Sequence, residues 1–184
     1  MNKIGLIGKK LGHSLSPELF QGFFENEKLM DWDYSLYELK ELNELANLIQ
    51  QNKLRGLNVT VPFKQEIIPL LQELSEEAKE VGAVNTVKVQ KSGLVGYNTD
   101  VYGFEKMIWL NDVLPTNVLI LGSGGASKAV QFVLNKRAIN FEIVSRTPSS
   151  DTILYDDLDD LLFKEFDTIV NTTPLGMFPN IIEM

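Results

Sequence analysis

Residues 117–136, NVLILGSGGASKAVQFVLNK, constrain the fold more than any other stretch of this chain. Val118 to Leu121 form an unbroken apolar run, the pattern of a strand buried on both faces of a parallel sheet. The run ends in Gly122-Ser123-Gly124-Gly125-Ala126-Ser127, after which Ala129, Val130, Val133 and Leu134 recur at helical spacing. A second strand, Phe141 to Ser145, completes a βαβ unit. A glycine cluster by itself marks only a tight strand-to-helix turn. With a strand before it and a helix after it, the glycines let backbone approach a pyrophosphate while the helix start presents free N–H groups and the positive dipole end. The third position of the usual G-x-G-x-x-G/A pattern is Ser127, small enough to keep helix and strand in contact.

The residue after the second strand separates two dinucleotides: an acid there grips the ribose 2′-OH of NAD, and an Arg holds the 2′-phosphate of NADP. Glu142 lies about 20 residues past the first glycine, the interval expected of the NAD-type acid, but near the start of its strand. Arg146, in Ser145-Arg146-Thr147, is better placed, so NADP is the preferred cofactor.

Upstream, strand-like and helix-like segments alternate. Ile4 to Ile7 end at Gly8, and Ser16, Pro17 and Glu18 read as cap, first turn and dipole partner of a helix carrying Leu19, Phe20, Phe23 and Phe24 as core. Tyr34 to Leu39 reads as a strand, and Leu42, Leu45, Leu48 and Ile49 mark one face of a helix. Asn58 to Val61 reads as a strand stopped by Pro62, and Ser75 and Gly82 bracket another helix. AVNTVKVQ and LVGYNTD, joined by KSG, form a hairpin whose second strand ends at Asp100. Tyr102 to Leu110 is helical, and NDVLPTN is the most linker-like stretch, placing a domain boundary within 101–116. The expected organisation is an α/β chain with an N-terminal α/β domain over 1–105 and a Rossmann-like nucleotide domain over 106–184. Only three strands follow the linker, so the second domain reads as incomplete and the chain as truncated.

Composition narrows the function classes. Seventeen Lys and Arg against 25 Asp and Glu leave a formal charge of −8, which repels nucleic acid and anionic membranes. There is no Cys and a single His, His13, so thiolate nucleophiles, disulfides and two-His metal sites are excluded, and no metal is expected. The opening MNKIGLIGKKLGHS is not a signal peptide, and no stretch reaches the roughly 20 apolar residues of a membrane span. A cytoplasmic protein acting on a small molecule, as monomer or homodimer, is expected.

Several polar residues of the N-terminal half invite a chemical reading. Lys64 stands in the first turn of a helix, where a cation opposes the dipole. Ser14 and Ser16 share one side of an extended loop, and Asn85, Thr86 and Asp100 sit on or beside the hairpin. Each has a plain structural alternative: a surface lysine, a helix cap, turn-forming Asn and Asp.

HSLSP, GLNVTVPFK, GAVNTV, GYNTD, GSGGAS, SRT and NTTPLGM occur in one order along this chain, and together they closely resemble the shikimate dehydrogenase family. The resemblance implies NADPH-dependent reduction of 3-dehydroshikimate to shikimate on the route to chorismate and the aromatic amino acids, in a cleft between substrate and NADP domains. It implies that Ser14 and Ser16 bind the substrate carboxylate, that Thr60, Asn85 and Asp100 surround the ring hydroxyls, and that Lys64 with Asp100 is the catalytic acid/base pair. Gly122, Ser123, Gly124, Gly125 and Ala126 match the pyrophosphate loop. Ser145, Arg146 and Thr147 match a segment that reads Asn-Arg-Thr in the family. Asn171, Thr172 and Thr173, with Gly176 and Met177, resemble the loop near ribose and nicotinamide. The stretch between Thr147 and Thr168 is short and acidic, and the family's later tyrosine and glutamine have no counterpart here. The alternatives are a shikimate/quinate dehydrogenase of broader cofactor use and a catalytically silent binding module; retention of both Lys64 and Asp100 argues against the second.

Overall fold

A computed structural model of the chain describes residues 1–110 and 114–176. The chain divides into two compact units, Met1–Asn98 and Thr99–Met184. The division falls ahead of the 105/106 boundary read from the linker, because the helix beginning at Asp100 packs on the helix that follows the glycine turn.

The first unit opens with β1 (Asn2–Gly8), α1 (Ser16–Asn26) and β2 (Trp32–Glu38). A 3-10 turn leads into α2 (Leu45–Asn52), followed by β3 (Leu54–Val59) and the one-turn helix α3 (Phe63–Glu66). Next come β4 (Glu73–Leu74), α4 (Glu76–Val81), and the hairpin β5 (Thr86–Gln90) and β6 (Gly93–Tyr97). They form one six-stranded sheet in the order β2-β1-β3-β5-β6-β4. β1 pairs in parallel with β2 and β3, whereas β5 runs antiparallel to β3 and β6. The carboxyl ends of β1, β3 and β6 and the amino end of β5 therefore lie at one edge.

Alternation along the strands sorts residues to the two faces. Ile7, Leu57, Val59 and Val87 pack with Leu45, Phe63, Ile67 and Ala78 on one face, while Leu6, Tyr34 and Phe24 form a cluster on the other. Ile7 and Ile67 are wholly buried and Phe63 is 2% exposed; each such side chain contributes roughly 1.5–3 kcal/mol. Ser75 caps α4 by accepting from Ala78 N, and Gly82 ends it in the left-handed region. α1 departs from the sequence reading twice. Its N-cap is Leu15, with Ser16 the first helical residue and no side-chain cap. Of its apolar residues only Phe24 is buried; Leu19 is 71% and Phe23 52% exposed, because the helix lies with Phe20 and Phe24 toward Tyr34.

The second unit contains α5 (Asp100–Leu110), β7 (Asn117–Leu121), α6 (Gly125–Lys136) and β8 (Asn140–Ser145). β9 (Ile153–Leu154), the single turn α7 (Asp160–Phe163) and β10 (Thr168–Asn171) follow. The acidic stretch thus makes only a two-residue strand, a 3-10 turn at Tyr155–Asp157 and one helical turn, the abbreviation its length implied. Four parallel strands run β10-β7-β8-β9. Val118, Leu119 and Ile120 are fully buried, as a strand covered on both faces requires. Val118 and Ile120 pack on Val130 and Leu134 of α6 and on Phe104 of α5.

Candidate active site

In the first unit the expected substrate residues gather at the edge where β1 and β3 end. β1 hands over at Gly8 to a loop whose Leu11 is buried and whose Leu11 N–H donates to Glu38 Oε1 (2.7 Å). Ser14 N donates to Leu11 O (2.9 Å), and Ser14 Oγ accepts from Ser16 N (3.3 Å), so the two serines are held as one turn. Thr60 N continues the ladder to Ile7 O (3.0 Å), and Thr60 O accepts from Phe63 N (2.9 Å). Lys64 is half-buried on the turn that Phe63 and Ile67 pin into the core, and its carbonyl accepts from Val84 N (2.7 Å). Asn85 is buried beside β3: its N–H donates to Tyr97 O (3.1 Å), and its carbonyl accepts from Val59 N (2.8 Å). α3 is only four residues long, so Lys64 has no helix dipole to oppose, and the dipole argument for its role is void.

Tyr34 and Asn58, which sequence reasoning left without a role, and Thr86, noted there beside Asn85, join this edge. Tyr34 donates to Asn58 Oδ1 (2.9 Å), Asn58 Nδ2 to Thr86 Oγ1 (3.2 Å), and Thr86 Oγ1 to Asn85 Oδ1 (3.1 Å). Burial pushes the Tyr34 phenol above its ordinary range, and the Ser16 hydroxyl pulls the other way. The signal in the sequence was Asn58, a polar residue between the buried Leu57 and Val59. Glu38, which anchors the loop before Ser14, carried no signal beyond its place at a strand end.

Asp100 belongs to the second unit, and it is the first residue of α5 rather than the last of a strand; β6 ends at Tyr97. An acid there favours the positive end of that helix.

The glycine turn follows β7, and Gly122 adopts φ +105°, where a Cβ would lie 2.8 Å from Thr172 Oγ1 and 3.1 Å from Thr173 Cγ2. Gly124 caps α6 in extended backbone with no atom within 4 Å of its missing side chain. No side chain caps α6, and no acid sits in its first turn. Gly125 and Ala126 begin the helix, and Ser127 is buried against the sheet. β10 lies on one side of β7 and β8 on the other, so the order of strands across the sheet reverses at β7. Ligands of open α/β sheets bind at such a reversal, beyond the carboxyl ends of the strands.

Around that end, Ser145 is buried, and its Oγ bonds to Ser123 Oγ (3.0 Å) and accepts from Thr147 N (3.1 Å), tying the glycine turn to the next loop. Arg146 is exposed immediately past β8. Glu142 pairs with Leu119 inside the strand, away from that end. Thr172 Oγ1 donates to Leu121 O (2.7 Å). Asn171 Oδ1 accepts from Thr173 N (2.9 Å) and Thr173 Oγ1 (2.7 Å), and Asn171 Nδ2 donates to Leu175 O (3.2 Å). Gly176 takes φ +80°; Met177 lies outside the described residues. An uncapped helix start, an open glycine cap and an exposed arginine just past β8 are features that suit an anionic nucleotide.

Residues 6–87 match the profile described as the shikimate dehydrogenase substrate binding domain. A shikimate dehydrogenase (NADP(+)) of Clostridium beijerinckii is 38% identical over 192 residues, taking in 98% of this chain and 71% of that protein. The chain belongs to the shikimate dehydrogenase family. Among solved members, shikimate dehydrogenase 1 from Peptoclostridium difficile superposes with a TM-score of 0.85 at 36% identity, covering 98% of this chain and 70% of that one. Shikimate 5-dehydrogenase from Thermus thermophilus, solved with NADP(H) and shikimate, gives 0.82 at 30% identity over 96% of this chain and 70% of that one. Among the described residues, no helix is long and apolar enough to cross a membrane.

Proposed function

We propose that this chain, an NADP-dependent oxidoreductase acting on a CH–OH group, interconverts shikimate and 3-dehydroshikimate with Lys64 and Asp100 as its proton-transfer pair. Family membership carries the reaction. What supports the residue roles is the gathering of Ser14, Ser16, Thr60, Lys64 and Asn85 at one sheet edge, on segments held by backbone hydrogen bonds.

NADP, when bound, accepts the hydride in the oxidation and supplies it in the reduction. Ser14 and Ser16 donate to the substrate carboxylate and fix its orientation. Thr60, Asn85 and Asp100 bind the ring hydroxyls. In the oxidation Lys64 Nζ takes the proton of the reacting hydroxyl as the C–H bond to the same carbon breaks; in the reduction it returns that proton to the new alkoxide. Asp100 holds the lysine charge formed in the first case. Arg146, past the strand end where Glu142 is not, supports NADP over NAD.

The test is NADPH formation from shikimate and NADP⁺, with shikimate affinity measured by calorimetry. Lys64→Ala is expected to cut kcat by about 10²–10⁴-fold while shikimate Kd moves less than about threefold. Turnover within tenfold of wild type would remove Lys64 from the chemistry. A wild-type chain that neither binds shikimate nor reduces NADP⁺ with it would overturn the reaction itself.

A further inference from the structure

We infer that Thr86 and Asn58 are positioning residues that fix which end of the Asn85 carboxamide faces the substrate, so that the amide nitrogen donates to a ring hydroxyl oxygen. The inference rests on the functional reading above.

A carboxamide offers an acceptor at one end and donors at the other, and the two ends are nearly equal in size. Packing alone does not choose between them; a hydrogen-bond partner of fixed character does. Asn85 has that partner in the next residue, where Thr86 Oγ1 donates to Asn85 Oδ1 at 3.1 Å. Asn58 stands directly opposite Thr86 in the antiparallel pairing of β3 with β5, and its Nδ2 donates to Thr86 Oγ1 at 3.2 Å. An amide nitrogen is never the acceptor, so the single hydroxyl proton of Thr86 turns to Asn85. Asn58 is set from its other end by the Tyr34 phenol, which donates to Asn58 Oδ1 at 2.9 Å. A phenol, more acidic than an alkyl hydroxyl, is the better donor and the poorer acceptor. Tyr34 is buried and its ring is stacked on Phe20, so the direction of the bonds that follow is set at one fixed group.

The consequence lies at Asn85. It is buried immediately before β5, with its N–H on Tyr97 O and its carbonyl on Val59 N, so its backbone has no freedom to compensate for a reversed amide. With Oδ1 turned to Thr86, Nδ2 is turned away from it. A substrate hydroxyl met there accepts through its oxygen and keeps its own proton for another acceptor. A reversed amide would set oxygen against that oxygen and oblige the hydroxyl to spend its proton on Asn85.

The experiment measures, by calorimetry, the affinities of wild type, Thr86→Val, Thr86→Ser and Asn58→Asp for NADP⁺, for shikimate and for the shikimate analogues that each lack one ring hydroxyl, with thermal unfolding of each chain. Thr86→Val is expected to weaken shikimate about 3–10-fold, the worth of one neutral hydrogen bond, and to leave NADP⁺ within about twofold. One analogue, lacking the hydroxyl that Asn85 meets, is expected to bind wild type and Thr86→Val within about twofold of each other, and Thr86→Ser to restore shikimate. Asn58→Asp keeps the size of the side chain and removes its donor: Thr86 then gives its proton to the new carboxylate and accepts from Asn85 Nδ2, which reverses the amide. Its readout is the ratio of affinities for shikimate and that analogue, in which any effect of the added charge on the shared carboxylate cancels. The ratio is expected to fall about 3–10-fold, and it decides the matter even if Thr86→Val fails to fold. Unchanged shikimate affinity in Thr86→Val, an equal loss for every analogue, a Thr86→Ser chain as weak as Thr86→Val, or a wild-type ratio in Asn58→Asp would each overturn the role. Wild type that does not bind shikimate would instead overturn the functional reading.

Discussion

A methyl group added at Gly122 and one added at Gly124 should do different kinds of damage. At Gly122 the φ of +105° is strained for any L-residue, costing about 1–3 kcal/mol. The new Cβ also lands 2.8 Å from Thr172 Oγ1, which cannot swing aside without giving up its 2.7 Å bond to Leu121 O. Crowding of this kind adds about 1–3 kcal/mol. Gly122→Ala should therefore cost about 2–6 kcal/mol, a large part of what holds a unit of this size together. Gly124 has φ −81° and ψ −169° and open space where its Cβ would stand. Alanine is only a poorer cap there, worth up to ~1 kcal/mol. Its methyl, however, projects at the start of α6, where the cofactor's pyrophosphate is expected to approach the backbone. Urea denaturation followed by far-UV circular dichroism should rank Gly122→Ala well below Gly124→Ala, while Gly124→Ala alone, though folded, should lose about tenfold or more in NADP⁺ affinity. Equal destabilisation by the two, or a Gly124→Ala chain that binds NADP⁺ as wild type does, would refute the reasoning.

Arg146→Ala should raise KM for NADP⁺ by about 10–100-fold and leave that for NAD⁺ within about twofold; equal effects on both would remove the 2′-phosphate contact. Ser145→Ala should weaken NADP⁺ and NAD⁺ by a similar, several-fold factor, because it unties Ser123 and Thr147 together; a loss confined to NADP⁺ would mean that Ser145 acts on the 2′-phosphate itself. Asp167 accepts from Thr116 N, Thr116 Oγ1 and Asn117 N, and these bonds, with Thr116's hydroxyl foremost, hold its carboxyl at about 2. A depressed carboxylate stabilises above its unfolded pKa of about 4 and loses that effect as pH falls toward 2, so the gap in Tm between wild type and Asp167→Ala should close over that window; a constant gap would contradict the linkage.

What the chain could reveal of its fold depended on how far a segment's character is local. β7, the glycine turn and α6 are each self-sufficient: an apolar run long enough for one strand, residues that permit the turn, and a stripe at helical spacing. The hairpin at Gly93 and the Ser75 cap are equally local. β4 was not legible, because two residues, Glu73 and Leu74, form a strand only by pairing with β6. The exposure of Leu19 and Phe23 was hidden for a related reason: four apolar residues on one helix give the pattern of a core face, but which of them turns inward is set by where Tyr34 stands on β2.

The candidate site divides along the same line. Motif residues such as Lys64, Asn85 and Arg146 were singled out by type and order, yet the argument that first pointed to Lys64 from helix polarity fails on a helix of one turn. Ser145 is the opposite case. Its place in the motif suggested contact with the cofactor, whereas its buried hydroxyl is spent on Ser123 and Thr147, so it shapes the loop that carries Arg146. Tyr34, Asn58 and Thr86 lie on three different strands. No spacing rule joins them, because their relation exists only once β1 brings β2 and β3 together and β5 sets Thr86 opposite Asn58. A motif read along the chain thus names the groups proposed to meet a ligand. The register of the sheet decides which polar neighbours pack beside them, and Asn58 and Thr86, though each lies within a motif, meet only through that register.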